Sequence, residues 1–355
     1  MAIIPSSRII PIEWIDEAVK IRWLDNTKIP LEESYNETSN LNRLSEAIKN
    51  LEIRGAPVLG EAGAFGVALA AANAKNINEE ILKEVKEAAR MLSATRPTAV
   101  NLSWGINKVL KKVEQAYENG ESAQQMKMSA LDEAKRIKKE NILSTYKIGE
   151  FGRDLIEDGD TLMTVCNAGV LACDGIGTAT APMRAAWAQG KRFDVIVTET
   201  RPLLQGSRLT AWELNIDGIP TKVITDNAAA HIIESKKVKT IFAGADRILT
   251  DGSVYNKIGT FQLAILTKHF GNMNFYVAAP ISTIDPYSTQ EEVKIEQRSE
   301  WEVKNVMGKV LIAPNSVGAL NPAFDKTPPE LISGIITEKG IARFPYNNSI
   351  PKLLI

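Results

Sequence analysis

The residues of this 355-residue chain that could do chemistry stand directly after short apolar stretches. Cys166 follows TLMTV and precedes Asn167, and Asp246 follows TIFAGA. If these stretches are parallel strands, both side chains lie at the carboxyl edge of one sheet, where open α/β sheets bind ligands. A thiol there could be activated by nearby donors or a helix N-terminus. A carboxyl group above an apolar floor could exchange a proton at neutral pH.

Other interpretations of both residues stay open. A dinucleotide-binding turn is a poor match, because Thr180 stands where the Gly-rich fingerprint needs its third glycine. A metal site or a disulfide would need Cys173, and no histidine is nearby. Cys166 could also be a buried structural cysteine, since free cysteine packs as a small hydrophobe. Asp246 could pair with Arg247 or cap the next turn. The strand-end position favours a functional thiol at Cys166 and a structural or incidental role for Cys173.

Three further segments predict phosphate recognition. IRGAP joins Arg54 to a glycine turn, so a guanidinium and free backbone amides could share one phosphate. TRPTAV places Arg96 beside a threonine at a predicted helix start. YNKIGT places Asn256 and Lys257 ahead of another predicted helix. Together these segments favour a small phosphorylated ligand over a dinucleotide.

The first half of the chain predicts mostly helices. Apolar residues recur at helical spacing from about residue 41 onward. Gly60, Gly63 and Gly66 recur every third residue, which suggests close packing against another backbone. Ahead of these helices, residues 12–30 alternate apolar and polar side chains, which predicts a small antiparallel sheet with a turn near Glu17.

The second half has a different pattern. From residue 160, apolar stretches of strand length, among them TLMTVC, FDVIVTET, TKVITDN and TIFAGADRI, alternate with helix-like stretches. This order predicts parallel strands joined by right-handed crossovers, and continuously apolar strands predict burial on both faces. The predicted fold class is α/β. A mainly helical N-terminal domain with a small antiparallel β element, residues 1–130, is followed by a Rossmann-like parallel-sheet domain, residues 131–355.

Composition disfavours several classes of function. A formal net charge of −1 gives no reason to expect nucleic acid or an anionic membrane as partner. The apolar stretch AFGVALAAANA is far below the roughly 20 residues that span a bilayer, and the N-terminal sequence has no signal-peptide pattern. Two cysteines cannot build a disulfide framework, and neither histidine has a second His or Cys nearby. We therefore expect a cytoplasmic protein without a metal.

Several motifs together resemble a known family. They are IRGAP, TRPTAVNLSWGI, CNAG, ETRPLLQGSRLTAWEL, GADRI and NKIGT. These motifs are similar to those of the methylthioribose-1-phosphate isomerases of methionine salvage, whose fold also includes the regulatory subunits of translation initiation factor 2B. The resemblance runs along nearly the whole chain. It departs at VLACD after CNAG and at DGSVY before NKIGT.

The resemblance implies roles for individual residues. Cys166 resembles the catalytic thiol and Asp246 the proton donor. The residues that match the family's substrate and phosphate contacts are Arg54, Gly55, Ala56, Arg96, Gln205, Asn256 and Lys257. A homodimer without a cofactor is implied, as is an aldose–ketose isomerisation of 5-methylthioribose 1-phosphate. The alternatives are an isomerase of ribose 1,5-bisphosphate or another pentose 1-phosphate, and a non-catalytic subunit of the initiation-factor type.

Overall fold

A computed structural model describes residues 8–354 of the chain. Contacts among them form two units, an N-terminal unit of residues 8–145 with Val170–Gly177 and a C-terminal unit of Tyr146–Gly169 with residues 178–354. The predicted boundary at residue 130 falls inside one continuous helix, Ala123–Gly152. The division into domains 1–130 and 131–355 stays a prediction about which parts of the chain fold independently.

The N-terminal unit joins a small sheet to a group of helices. Its elements are, in chain order, β1 (Ile12–Ile15), β2 (Lys20–Leu24), β3 (Tyr35–Thr38), α1 (Leu41–Lys49), α2 (Ala56–Asn73), α3 (Asn78–Ser93), α4 (Val100–Glu118), α5 (Ala123–Gly152) and α6 (Val170–Cys173). The last two turns of α5, from Tyr146 onward, belong to the C-terminal unit. The strands pair antiparallel in the order β1–β2–β3, with Ile12 opposite Trp23. The predicted antiparallel element is therefore confirmed.

Helices α2 and α4 pack so closely that their contact requires glycine. A Cβ atom on Gly105 of α4 would lie 2.0 Å from the carbonyl oxygen of Gly60. A Cβ atom on Gly63 would lie 2.9 Å from the carbonyl oxygen of Leu102. Among the described residues, α2 is the one helix long and apolar enough to cross a membrane. Because 72% of it is buried inside the structure, it is a core helix.

The C-terminal unit contains a large sheet, a smaller sheet and a short hairpin. Its strands are, in chain order, β4 (Thr161–Thr164), β5 (Asp194–Thr198), β6 (Thr221–Ile224), β7 (Thr240–Ala243), β8 (Arg247–Leu249), β9 (Val254–Lys257), β10 (Asn274–Ala278), β11 (Ile284–Asp285), β12 (Asn305–Val306), β13 (Val310–Leu311), β14 (Phe324–Thr327), β15 (Gly334–Thr337) and β16 (Gly340–Ala342). Its helices are α7 (Ala181–Ala188), α8 (Ala211–Ile216), α9 (Ala229–Lys236), α10 (Thr260–Phe270), α11 (Glu300–Lys304) and α12 (Tyr346–Leu353).

The large sheet has the topology of an open α/β fold. Its strand order is β16–β15–β10–β7–β4–β5–β6, and every pairing is parallel except that of β15 with β16. β4 is the first strand of this sheet in chain order. β5 and β6 then follow on one side of it, and β7, β10 and β15 follow on the other side. The strand order therefore reverses between β4 and β7, at the switch point where such sheets bind ligands. The predicted α/β fold class is confirmed.

Two details differ from the sequence-based expectation. The stretch TIFAGADRI is not one strand, because β7 ends at Ala243 and β8 begins at Arg247 in the small sheet of order β11–β8–β9–β14. Burial on both faces is wrong for β6, where Lys222 and Val223 are exposed. The physical reason is that β6 is an edge strand with a single neighbour.

Candidate active site

The loops that follow β4 and β7 meet at the switch point of the sheet. Cys166 is the second residue of the loop after β4, and Asp246 ends the loop after β7. The two strands pair in parallel, so both loops leave the same edge. A Cβ atom on Gly244 would lie 2.6 Å from the Cβ of Ala168. The two loops therefore touch, and no side chain larger than hydrogen fits at Gly244 without a shift.

The backbone of Cys166 is held in an unusual conformation. Its φ is +59°, in the left-handed region, which costs an ordinary residue about 1–2 kcal/mol. The Cys166 N–H donates to Oγ1 of Thr200 at 2.8 Å, and Oγ1 of Thr210 donates to the Cys166 carbonyl at 2.6 Å. Cys166 is 7% exposed and forms no disulfide with Cys173. Strained backbone held in this way clusters at functional sites. We call Cys166–Gly169 the thiol turn.

A buried ion pair lies behind the thiol turn. Glu213 is fully buried, and its Oε2 lies 3.1 Å from Nη2 of Arg184. Its Oε1 accepts a hydrogen bond of 2.8 Å from Nδ2 of Asn167, which also donates to Oγ1 of Thr210 at 3.1 Å. A Cβ atom on Gly169 would lie 2.0 Å from the Glu213 carboxylate. Both the hydrogen bonds and the packing therefore restrict the thiol turn to one geometry.

The loop after β5 is fixed equally firmly. The N–H groups of Thr200 and Arg201 donate to Oδ1 and Oδ2 of Asp226 at 2.8 and 2.7 Å. Thr200 also has a positive φ of +62°. Burial, followed by repulsion from Asp226, raises the pKa of the neighbouring Glu199. Because its own backbone is anchored, the Thr200 hydroxyl is a fixed acceptor for the Cys166 N–H.

The side-chain carbonyl oxygen of Gln205 is a buried hydrogen-bond acceptor that receives no hydrogen bond from the described residues. The residue is 6% exposed, and its Oε1 has no hydrogen-bond partner among the described residues. It precedes a π-helical turn, Gly206–Thr210, a geometry that is frequent at functional sites. A Cβ atom on Gly206 would lie 1.8 Å from the carbonyl oxygen of Thr198, so the chain passes directly over the end of β5. A buried acceptor left unsatisfied costs about 1–3 kcal/mol, which a ligand donor would recover.

The small sheet carries the NKIGT segment beside Asp246. The N–H of Asp246 donates to the carbonyl of Tyr255 at 3.0 Å, and Asn256 and Lys257 follow on β9. Nδ2 of Asn256 donates to Oγ1 of Thr260 at 2.9 Å, at the start of α10. Nζ of Lys257 donates to a backbone carbonyl at 3.0 Å. Asp246, Asn256 and Lys257 therefore belong to one connected part of the C-terminal unit.

A carboxylate already lies at the start of α10. Asp325 accepts hydrogen bonds from the N–H groups of Gly259 and Phe261 at 2.7 and 3.1 Å. Burial, opposed by these hydrogen bonds and by Lys257, raises the pKa of Asp325 to about 6. A phosphate bound at this helix start would share the backbone N–H groups with the Asp325 carboxyl group, which loses its charge as the pH falls through about 6.

The remaining predicted contact residues lie in the N-terminal unit. Arg54, Gly55 and Ala56 lead into α2, and Arg96 lies between α3 and α4. Gly55 has φ of +97°, and a Cβ atom there would lie 2.3 Å from Cα of Ala172. Glycine is required at this position by both conformation and space. Both arginines are partly exposed.

The N-terminal unit also contains a buried charged cluster that the sequence did not indicate. Nζ of Lys138 pairs with Asp174 and, at 3.5 Å, with Glu61, which is fully buried. Nδ2 of Asn141 also donates to Glu61. Burial raises the pKa of Glu61 well above its usual range. The cluster therefore anchors Val170–Gly177, which contains the VLACD departure, to α2 and α5.

The residues that fix the thiol turn were missed in the sequence. Thr200, Thr210 and Glu213 all stand in ETRPLLQGSRLTAWEL. The sequence does contain a signal for Glu213. It stands between a tryptophan and a leucine in a short helix, and a glutamate in such an apolar setting is a candidate for burial beside a cation. Arg184 stands in a similar apolar setting, APMRAAWA. What the sequence lacks is any sign that these two residues pair with each other.

The histidines stand apart from this arrangement. His231 lies in α9, and His269 lies in α10, where its ring contacts that of Phe270. Within residues 8–354 the structure contains no group of three or more His, Cys, Asp or Glu side chains that could hold a metal ion.

Comparison with known proteins places the chain in a family. The model of the Initiation factor 2 subunit family matches residues 52–343. A methylthioribose-1-phosphate isomerase of Pelotomaculum thermopropionicum is 43% identical over 343 residues, which are 96% of this chain and 93% of that protein. The crystal structure of 5-methylthioribose 1-phosphate isomerase from Pyrococcus horikoshii OT3 is 37% identical, with a TM-score of 0.90 and coverage of 98% and 96%. A crystal structure described as translation initiation factor eIF-2B, subunit delta, from A. fulgidus is 44% identical, with a TM-score of 0.86 and coverage of 98% and 99%. The chain therefore belongs to the initiation factor 2 subunit family, among relatives named methylthioribose-1-phosphate isomerase.

Proposed function

We propose that the chain is an aldose–ketose isomerase that converts 5-methylthioribose 1-phosphate into 5-methylthioribulose 1-phosphate, a step of methionine salvage. The observation that carries this proposal is the thiol turn at the switch point, with strained Cys166 backbone and the Asp246 loop against it. Relatives named for this reaction match over nearly the full length of both chains, which supports the same reaction here.

The chemistry needs an acid at the ring oxygen and a group that moves hydrogen from C2 to C1. The anomeric oxygen of the substrate carries phosphate, so the ring cannot open as a free hemiacetal does. Asp246, protonated, donates its proton to the ring oxygen as the bond from C1 to that oxygen breaks. The Cys166 thiolate then removes the proton from C2, which leaves an enol phosphate. A positioned acid and base each contribute about 10²–10⁴-fold to such a rate.

The same two groups complete the reaction. The thiol returns its proton to C1, and the hydroxyl at C2 loses its proton to the Asp246 carboxylate as the ketone forms. Both groups end in the protonation states in which they began. In a second route, hydride moves directly from C2 to C1 and Cys166 stabilises the charge instead. Substrate deuterated at C2 distinguishes the two routes. Exchange of the deuterium into water requires proton transfer through the thiol, whereas full retention of the deuterium in the product favours hydride transfer.

Substrate contacts follow from the remaining site residues. Arg54 and Arg96, with the amides of Gly55 and Ala56, are proposed to hold the phosphate, and guanidinium groups match phosphate geometry through paired hydrogen bonds. Lys257 adds a further cation. Holding the phosphate supports catalysis, because correct positioning alone can lower a barrier by several kcal/mol, roughly 7–11 at most.

Two of the contact residues present amide side chains. Gln205 is proposed to accept a hydrogen bond from a sugar hydroxyl, which its buried, unsatisfied Oε1 supports. Asn256, also buried, is proposed to contact the substrate through its carbonyl oxygen, since its Nδ2 already donates to Thr260.

We also propose a homodimer in the cytoplasm. Large exposed apolar side chains are concentrated in one stretch of the C-terminal unit. They are Trp301, Met307, Val310, Leu311, Ile312, Val317 and Leu320. Exposed apolar groups of this kind mark interaction surfaces. Light scattering after gel filtration tests the dimer, and a monomer at micromolar concentration would overturn it. The two cysteines without a disulfide fit a reducing compartment.

A second candidate is a non-catalytic subunit of the initiation-factor type. The observation in its favour is the 44% identity to a protein described as subunit delta of eIF-2B. A binding subunit has no need of the Cys166 and Asp246 pair or of a strained cysteine. Tight binding of a sugar phosphate without turnover would favour this candidate.

The deciding experiment assays the purified protein with 5-methylthioribose 1-phosphate and, in parallel, with ribose 1,5-bisphosphate, and follows ketose formation. We expect turnover of the methylthio sugar and little or none of the bisphosphate. Asp246→Asn should lower kcat by about 10³-fold or more, whereas Asp251→Asn, an aspartate within the same small-sheet segment, should stay within about threefold. Preference for the bisphosphate would overturn the substrate, and no turnover of either sugar would overturn the enzyme.

A further inference from the structure

We infer that Thr200 and Thr210 are positioning residues that aim the Cys166 thiol by holding its peptide unit from both sides. This inference rests on the proposed catalytic role of Cys166. The two hydroxyl groups bond to the two polar backbone groups of one residue, the N–H and the carbonyl of Cys166, at 2.8 and 2.6 Å. They come from the two ends of the segment between β5 and α8, so that segment encloses the cysteine backbone.

We call the hydroxyl groups of Thr200 and Thr210 the clamp, and this clamp has to resist a backbone that would otherwise relax. Cys166 has a φ of +59°, which a cysteine does not favour. A change of φ at Cys166 would rotate its Cα–Cβ bond and move the sulfur relative to the Asp246 loop. Hydrogen bonds to both sides of the residue oppose that rotation. The thiol direction therefore depends on these bonds as well as on packing.

The buried ion pair fixes the direction of the hydrogen bonds on the Thr210 side of the clamp. The Glu213 carboxylate can only accept hydrogen bonds, so it requires the NH₂ group of Asn167 to face it. The second hydrogen of that NH₂ group points to Oγ1 of Thr210, which accepts it. The single hydroxyl proton of Thr210 is then left for the carbonyl of Cys166. Arg184 completes the series by neutralising Glu213.

This arrangement predicts different results for two substitutions at the same position. Thr210→Val keeps the shape but removes the donor, whereas Thr210→Ser keeps the donor and loses one methyl group. The same pair applies at Thr200. A side chain that acts only through packing would give the opposite order, because serine leaves the larger void. The contrast between valine and serine therefore separates positioning from packing.

The test uses Cys173→Ala as the parent protein, so that Cys166 is its only thiol. Thr200→Val, Thr210→Val and the matching serine variants are made in this parent. Thr267→Val is the control, because Thr267 is also buried and bonds through its hydroxyl to a backbone carbonyl, but within α10. Thermal melting shows that each protein is folded. The readouts are kcat and KM with 5-methylthioribose 1-phosphate, and the rate of alkylation of Cys166 by iodoacetamide without substrate.

We expect each valine variant to lower kcat by about 10–100-fold with KM within about threefold, and to change the alkylation rate by at least about fivefold. Each serine variant and Thr267→Val should stay within about threefold on all readouts. Folded valine variants with parental kcat and alkylation rates would overturn the inference, as would serine variants more impaired than valine variants. A wild-type protein that is folded but inactive would contradict the proposed function, while the alkylation rates in the parent would still test the clamp.

Discussion

Two adjacent segments of the chain each contain a buried cysteine but are held in different ways. The thiol turn, Cys166–Gly169, is fixed by hydroxyl and amide hydrogen bonds in the C-terminal unit. The α6 segment, Val170–Gly177, belongs to the N-terminal unit and is anchored by the ion pair of Asp174 with Lys138, which also lies 3.5 Å from the buried Glu61. Cys166 has a left-handed backbone, whereas Cys173 lies in the helical turn α6.

The difference shows that burial does not separate a functional cysteine from a structural one. Cys166 and Cys173 are 7% and 3% exposed, so accessibility alone ranks them together. What separates them is the left-handed backbone of Cys166, whose N–H and carbonyl both bond to threonine hydroxyl groups. The carbonyl of Cys173, in a helical turn, accepts a hydrogen bond from Nδ2 of Asn141. Directional hydrogen bonds fix where an atom points, whereas a cluster of charges fixes where a segment lies. Disturbing the first should affect turnover, and disturbing the second should affect stability.

Among changes to the residues that support the two segments, the largest loss of stability is expected from matched amide substitutions. In Glu213→Gln the new NH₂ group must face Asn167 or Arg184, both of which are donors, so the free energy of unfolding should fall by about 3 kcal/mol. We expect kcat to fall by about tenfold or more, because the clamp loses its direction. Asp174→Asn leaves Lys138 paired with Glu61, so the loss should be about 1–2 kcal/mol with kcat within about threefold.

Urea unfolding and steady-state kinetics of both variants check this prediction. Asp174→Asn serves as the control for Glu213→Gln, since each removes one buried carboxylate. A larger loss of kcat in Asp174→Asn than in Glu213→Gln would reverse the proposed assignment of the two segments.

A smaller effect is expected from adding one methyl group to each segment. In Gly169→Ala the Cβ would meet the Glu213 carboxylate at 2.0 Å, and in Gly175→Ala it would meet Oγ1 of Thr145 at 2.2 Å. Both variants should lose about 1–3 kcal/mol of stability, since overpacking forces the neighbours to move. Only Gly169→Ala should also lose kcat, by about tenfold.

Thermal melting and steady-state kinetics measure these effects. Gly120→Ala is the reference variant, because Gly120 has a φ of +71° but no atom within 4 Å of an added Cβ. The reference therefore reports backbone strain without a clash. Equal loss of kcat in Gly169→Ala and Gly175→Ala would remove the distinction between the segments.

The smallest effect is expected from pH. Glu61 has a pKa raised by burial, so the folded protein keeps a proton on Glu61 at pH values where the unfolded chain has lost it. Stability from this group is therefore present at low pH and is lost as pH rises above the ordinary glutamate value of about 4.3. Glu61→Gln resembles the protonated form and should flatten this dependence. Melting temperatures between about pH 5 and pH 8 check it, and parallel curves for wild type and variant would contradict it.

Much of the fold followed from local patterns. The strand and helix alternation after residue 160, the glycine spacing in α2 and the antiparallel β1–β2 pair all depend on residues near one another in sequence. The rule that ligands bind at strand ends also identifies Cys166 and Asp246 as candidates from the sequence alone. Such features are predictable because periodicity and turn residues act locally.

Other features depend on contacts that one sequence does not reveal. Glu213 pairs with Arg184 across 29 positions, and Thr210 reaches the Cys166 carbonyl across 44. Val170–Gly177 contacts the N-terminal unit through Ala172, which packs against Gly55, and through the ion pair of Asp174 with Lys138, an ordinary lysine in a charged helix. The break of TIFAGADRI at Gly244 reflects the approach of Ala168, which is also a tertiary contact.

The most direct test of the account compares its two cysteines in one assay. Cys166→Ser and Cys173→Ser are each assayed with 5-methylthioribose 1-phosphate, after thermal melting has shown that both are folded. We predict that Cys166→Ser loses about 10³-fold or more in kcat and that Cys173→Ser stays within about threefold of wild type. Near-normal turnover by folded Cys166→Ser would contradict the central claim that the thiol on this strained turn moves the hydrogen.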